Sequence, residues 1–234
     1  MKYLDTNSLF HTVDNVSEAI LFGLDIDRDE KIQIADFIAG RQGKPNAYAG
    51  TFAPTENDLK QDLVLFTGDK IKSRIGKCHM IGEEACRVLR KLDVQNGKTC
   101  IALQEADKGL QDQITRYLKE SRYEFGTYCC KSCSCGVWMN LSSGGLNLGE
   151  GFLDAGMKFL KKFRDESGRW KGFPWYYTLY VLNEIDTDIA MDEMKYAARS
   201  IEKRLIRKNK TNESKYDLRR DYIGEQILSK VNSH

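Results

Sequence analysis

Four of the seven cysteines in this 234-residue chain crowd into one stretch, Cys129-Cys130-Lys131-Ser132-Cys133-Ser134-Cys135. Cys130 and Cys133 form a Cys-x-x-Cys pair, and Cys135 adds a third thiol. Soft metals bind thiolates, and disulfide exchange runs through them; amides at a helix start and the neighbouring Lys131 would favour that form. A zinc site wants four ligands, usually as two separated pairs, and no second Cys or His pair follows at the expected spacing. The stretch therefore reads in one of two ways. It is a metal or redox site on Cys130, Cys133 and Cys135, with zinc as the cofactor, or a set of small residues packed at a tight helix start. His79 offers a second chemistry, because Glu83 lies four residues on and a helix would turn both to one face. Imidazole beside carboxylate suits a general base or a grip on a polar ligand. The plainer account is a hydrogen-bonded core histidine, with Glu84 one step round as a solvated group or a structural anchor.

Aromatic residues mark two further places. Phe173-Pro174-Trp175-Tyr176-Tyr177 could line an apolar pocket at a helix entrance, with the Tyr176 and Tyr177 hydroxyls giving direction. Tyr48 and Phe52, in a stretch that also holds Gly50 and Pro54, repeat the theme. Both sets read equally as cavity lining or as plain core. Asp25-x-Asp27-x-Asp29 has the look of a calcium loop, but Glu30 stands where glycine should make the turn and Asp36 where a bidentate Glu should close the site. An acidic helix start is the better reading. The basic run from Arg199 to Lys210 is one solvated helix face and a loop. It contains no stacking aromatic, which argues against nucleic acid as a partner.

These groups need elements to position them, and the pattern is helix after helix. Apolar spacing predicts helices over Val13–Leu24 and Glu30–Arg41, with Ile34, Phe37 and Ile38 in step. Thr67-Gly68-Asp69 has the form of a helix start, leading a long helix whose stripe is Ile71, Ile75, Gly82, Cys86 and Leu89. Leu103–Ser121 follows, then segments at about 131–141, 149–166, 175–185, 188–207 and 214–231. Gly144-Gly145 and the run Asn209-Lys210-Thr211-Asn212 separate neighbours. Strand-like alternation is nowhere sustained, and there are only three prolines. The expectation is an all-α fold of about ten helices in a single domain spanning 1–234.

Three helix ends share one layout: aromatic–aliphatic, three residues, Gln or Arg, three residues, Gly or Asn, one residue, aromatic. They are Phe37-Ile38, Gln42, Asn46, Tyr48; Tyr117-Leu118, Arg122, Gly126, Tyr128; and Phe159-Leu160, Arg164, Gly168, Trp170. Val88-Leu89, Asp93, Gly97 and Thr99 form a fourth, weaker version without aromatics. The mechanical sense is that the pair packs a helix end, the polar side chain reaches its carbonyls, and Gly or Asn stops the helix in the left-handed conformation. The last aromatic would then cover the turn and stack on the polar side chain. Such helical hairpins must stack to bury their faces.

This layout resembles the QW motif of the terpenoid cyclase and protein prenyltransferase α/α-toroid superfamily. Gly156-Met157-Lys158-Phe159-Leu160 with Arg164, Gly168 and Trp170 is the fullest match, with Arg in place of Gln. The segments Gly168–Leu179 and Glu83–Leu89 are similar to stretches of bacterial proteins in that superfamily. The resemblance implies inner and outer rings of helices around a central cavity. It does not carry the superfamily's chemistry across. Asp25-Ile26-Asp27-Arg28 breaks the acid motif of the class II cyclases, and Ile223-Gly224-Glu225-Gln226 lacks the thiol of the thioester proteins. The Asp, Cys and His zinc set of the prenyltransferases cannot be mapped onto His11, His79 or His234.

Composition is that of an ordinary globular protein: 41% hydrophobic, 30% charged and a net charge of +2. Nothing in it points to nucleic acid, and no apolar run approaches the roughly 18 residues of a membrane span. An odd number of cysteines without an apolar leader segment favours a reduced, cytoplasmic setting. The functional expectation is a small apolar or amphipathic ligand in a central cavity, with His79, Glu83 and the Tyr176 and Tyr177 hydroxyls as acid–base or positioning groups if the protein is an enzyme. The rivals are a non-catalytic module docking a protein partner and a metal-binding protein using the Cys129–Cys135 cluster.

Overall fold

The computed structural model describes residues 2–71, 73–207 and 214–233. Among them are ten α-helices, a short 3-10 turn and three isolated β-bridges, so the all-α expectation holds. Among the described residues no helix is long and apolar enough to cross a membrane. The chain divides into two compact units, one of residues 1–65, 70–122 and 143–148, the other of 66–69, 123–142 and 149–234.

The first unit contains α1 (Leu9–Leu21), α2 (Arg28–Ala39), the Tyr48–Gly50 turn, α3 (Glu56–Lys60), α4 (Arg74–Leu92) and α5 (Gly97–Lys119). Helix α4 packs on α1, α2, α5 and the Tyr48–Gly50 turn, which makes it the central element. The core it organises includes Val13, Ile34, Ile38, Ala85, Cys86 and Leu89. Side chains fix where these helices start. Ser8, Asp27, Ser73 and Asn96 each accept a backbone amide of the first turn. The Asp27 cap, with Asp29 and Glu30 in the first turn, makes this stretch an acidic helix start. Buried Asp58 does more: it closes a capping box with Thr55 and also accepts from Ser8 Oγ and from the Leu9 and Phe10 amides at the start of α1. One carboxylate thus joins two helix N-termini, satisfying donors that α1 would otherwise leave open.

The long helix of this unit does not begin at Thr67. Val64 and Lys70 form an antiparallel bridge, and the Ile71 amide donates to the Leu63 carbonyl, so the chain makes a tight reversal before Ser73 caps α4. Ile71 lies outside the helix, and Ile75, at 69% exposure, is off the buried stripe. The Thr-Gly-Asp signal was a turn signal, with Gly68 at φ +89°.

The second unit holds α6 (Lys131–Ser142), α7 (Phe152–Lys161), α8 (Trp175–Glu184), α9 (Asp188–Ile206) and α10 (Lys215–Asn232). Helix α8 packs on α6, α9 and α10, and α7 packs on α6 and α9. Trp138, Trp170, Tyr128, Tyr180 and Phe152 are the largest fully buried aromatic side chains among its described residues. The run at 209–212 lies outside the described residues.

Candidate functional site

In the first unit His79 and Glu83 meet as the helical spacing predicts. Nε2 of His79 lies 3.0 Å from Oε1 of Glu83, with both side chains buried at 1% and 2% exposure. The ring of Tyr48 stacks on the imidazole, centroids 4.2 Å apart and planes 16° from parallel. Two glycines let the Tyr48 turn reach that position. A Cβ on Gly82, one helical turn beyond His79, would run into Thr51 Oγ1; a Cβ on Gly109 of α5 would run into the Ala49 carbonyl. The turn is therefore seated on bare backbone of two helices. Its backbone is strained at Ala49, held at a left-handed φ of +49°, while Asn46 and Gly50 take the same region at little cost. Phe52 is fully buried directly after it.

Glu84 is an anchor. Its Oε1 accepts from Ser17 Oγ on α1 and from Arg87 Nη1, tying α4 to α1. Burial pushes the Cys86 and Cys78 thiols up from their ordinary value, so both stay protonated and serve as small apolar residues.

In the second unit the cysteines separate into two groups. Cys130 Sγ lies 3.2 Å from Cys133 Sγ and also accepts the Cys133 backbone N–H at 3.4 Å. The sulfurs of Cys129 and Cys133 lie within 4.8 Å of each other. Cys135 is not part of this group: its thiol is buried against Thr178 Oγ1 of α8, at 3.7 Å. The converging set is thus Cys129, Cys130 and Cys133. The physical reason is local. Positions 133 and 135 on a helix point about 200° apart, whereas Cys129 has a left-handed backbone, φ +55°, that turns it back beside its neighbour. The adjacency of Cys129 was visible in the sequence, but its turn was not.

Lys131 does not activate these thiols. Its ammonium donates to the Lys171 carbonyl and sits 3.5 Å from the centre of the Phe163 ring, and its desolvation there lowers its own pKa. The Cys130 thiol is pushed up from its ordinary value by its hydrogen bond with Cys129, against the opposing effect of Cys133. The expectation of a lowered thiol pKa does not hold for Cys130.

The proposed ligand-binding aromatics fall in different units, Tyr48 and Phe52 in the first and Phe173, Trp175, Tyr176 and Tyr177 in the second. The four in the second unit have structural partners. Phe173 stacks on Trp138, and Trp175 Nε1 donates to the Gly168 carbonyl. The Tyr176 hydroxyl accepts from Arg204 Nε while the Arg220 guanidinium covers its ring, and Tyr177 is buried beside Tyr180.

The three repeated turns share their left-handed residue: Asn46, Gly126 and Gly168 have φ of +72°, +91° and +80°. In each case it lies inside the turn, several residues beyond the helix end, so it shapes the reversal and does not stop the helix. The turns at 42–52 and 164–170 each carry an antiparallel bridge from the Gln or Arg position. The final aromatics each meet a different partner. Tyr48 stacks on His79, Tyr128 meets the edge of Tyr123, and Trp170 donates through Nε1 to Glu193 Oε2, at 2.8 Å. Arg164 grips the same buried Glu193 with two hydrogen bonds of 3.0 Å each. Composition alone did not single out Glu193; its place among apolar residues of α9 was the only signal.

No family model matches this chain, and no curated protein or solved structure matches it either. Its chemistry has to be argued from these side chains.

Proposed function

We propose that this protein binds a small amphipathic molecule in its first unit, with His79 and Glu83 meeting the polar group of the ligand and Tyr48 closing over it. The observation that carries this reading is the Tyr48 ring stacked 4.2 Å from a buried imidazole that itself faces a buried carboxylate. Such a pair is a poor way to stabilise a core, because taking both groups out of water offsets most of their attraction. Buried titratable groups beside a strained loop are more typical of sites. The loop over them has left-handed residues at Asn46, Ala49 and Gly50, positions where a small backbone change would lift Tyr48. A hydroxyl or acidic C–H placed against Nδ1 would have a base in His79, whose Nε2 already faces Glu83 as the partner for the resulting imidazolium. The face of Tyr48 would cover the apolar part of the ligand. The toroid similarity belongs to this proposal and suggests isoprenoid-like ligands.

The test is ligand-induced stabilisation. Isoprenoid alcohols of increasing length, titrated into the purified full chain, should raise its melting temperature. Saturation at about 100 times Kd corresponds to about 2.7 kcal/mol, or on the order of 5–10 °C for a chain of this size. Tyr48→Ala and Glu83→Gln should remain folded and lose most of that shift. No shift with any chain length, or an equal shift in both variants, would refute the reading.

A further inference from the structure

We infer that Cys129, Cys130 and Cys133 form a zinc-binding site in the second unit. Three thiol sulfurs converge at the start of α6: Cys130 and Cys133 at 3.2 Å, and Cys129 and Cys133 within 4.8 Å. Zinc–sulfur bonds of about 2.3 Å in a tetrahedron put the sulfurs roughly 3.8 Å apart. The Cys130–Cys133 pair is closer than that and the Cys129–Cys133 pair lies within 4.8 Å, so side-chain rotations that open the first pair and draw in Cys129 would close the set around one ion.

The backbone around the thiols is also arranged for it. Adjacent residues in an extended chain send their side chains to opposite faces. The left-handed Cys129, φ +55°, breaks that rule and brings two neighbouring thiols to one place. A non-glycine residue there costs roughly 1–3 kcal/mol, which packing alone does not call for, since Cys129 and Cys130 are exposed. The Cys133 amide already points at Cys130 Sγ, the hydrogen bond that steadies a metal thiolate. Cys133 is buried and anchors the site, while the two exposed thiols leave it open to solvent. Three protein ligands leave the fourth coordination position for water or another donor, the pattern of zinc sites that act on substrates. This all-cysteine set differs from the Asp, Cys and His set of the prenyltransferases.

Titration of the reduced full chain with zinc against a chromophoric chelator should give one ion per chain. Cobalt(II) in its place should show sulfur-to-metal charge transfer with the intensity of three thiolates. Cys129→Ser, Cys130→Ser and Cys133→Ser should each weaken binding by roughly 100-fold, as loss of a direct ligand does, and Cys135→Ser should leave it unchanged. Should the variants fold poorly, alkylation of the wild type decides the matter. Zinc should protect Cys129 and Cys130 from iodoacetamide while the exposed Cys100 reacts at its usual rate. No zinc uptake, charge transfer from two thiolates or fewer, unprotected Cys129 or Cys130, or a Cys135→Ser loss equal to the others would overturn the site. Because these readouts use zinc and the thiols without an added organic ligand, they can fail while the ligand reading survives, and the reverse.

Discussion

Two buried carboxylates of this protein differ in what depends on them. Glu193 is fully buried and receives two hydrogen bonds from Arg164 and one from the Trp170 indole. Arg164→Ala should leave that charge without its main partner and destabilise the protein by about 3–5 kcal/mol, the usual cost of breaking a buried pair from one side. Trp170→Phe removes only one donor and should cost about 1–3 kcal/mol. Urea unfolding followed by circular dichroism distinguishes the two; equal losses would mean that the ring, and not its N–H, supplies the stability of the turn. Glu83, at 2% exposure, faces His79. Changing both to Leu and Met should be close to neutral for stability if the pair exists for binding. A loss of more than about 3 kcal/mol in that double variant would make it a structural pair. The spacing of His79 and Glu83 was legible in the sequence because a helix fixes it. The choice of Cys129 over Cys135 was not, because one backbone dihedral decides it.

At the scale of elements, the Tyr48 turn depends on Gly82 and Gly109; periodicity placed Gly82 on the α4 stripe without showing that it seats a turn. Gly82→Ala places a methyl group where Thr51 Oγ1 sits, so the turn must lift from α4. The expected cost is about 1–3 kcal/mol, as for other overpacked contacts, with faster hydrogen exchange confined to the amides of residues 48–53. Unchanged exchange in that segment would show that the turn is held by other contacts. Asp58 serves two helix starts at once, so Asp58→Ala should cost more than the ~1 kcal/mol of a single cap. Helix existence was readable from apolar spacing, while several ends were misplaced. Thr67-Gly68-Asp69 carries the residues of a cap and of a turn alike, and the bridge between Val64 and Lys70 settled which it became.

For the whole molecule, acid stability should be traceable through one unit. Asp165, Asp192 and Asp217 are held below the ordinary carboxylate range by hydrogen bonds from Ser167, Lys161 and Ser214 respectively, and all three lie in the second unit. A depressed folded pKa gives stability that is fully present above the unfolded value of about 3.9 and is lost as pH falls through the folded one. These groups are partly exposed, so each contributes under about 1 kcal/mol. The three tryptophans of the chain, Trp138, Trp170 and Trp175, also lie in this unit. Indole fluorescence should therefore show loss of packing below about pH 4, and Asp192→Asn should make that loss less steep. A fluorescence profile flat down to pH 2, or one unaltered by the substitution, would contradict the assignment.

Helical content, the meeting of His79 with Glu83, and the three left-handed turns at Asn46, Gly126 and Gly168 were determined by the sequence itself. They depend on interactions within a few residues, where the period of a helix and the steric freedom of Gly and Asn leave little choice. Which thiols converge, which side chain each aromatic packs on and which glycines seat a loop were decided only by tertiary structure. Those outcomes depend on what lies across from each side chain, and segments distant in the chain bring that into place.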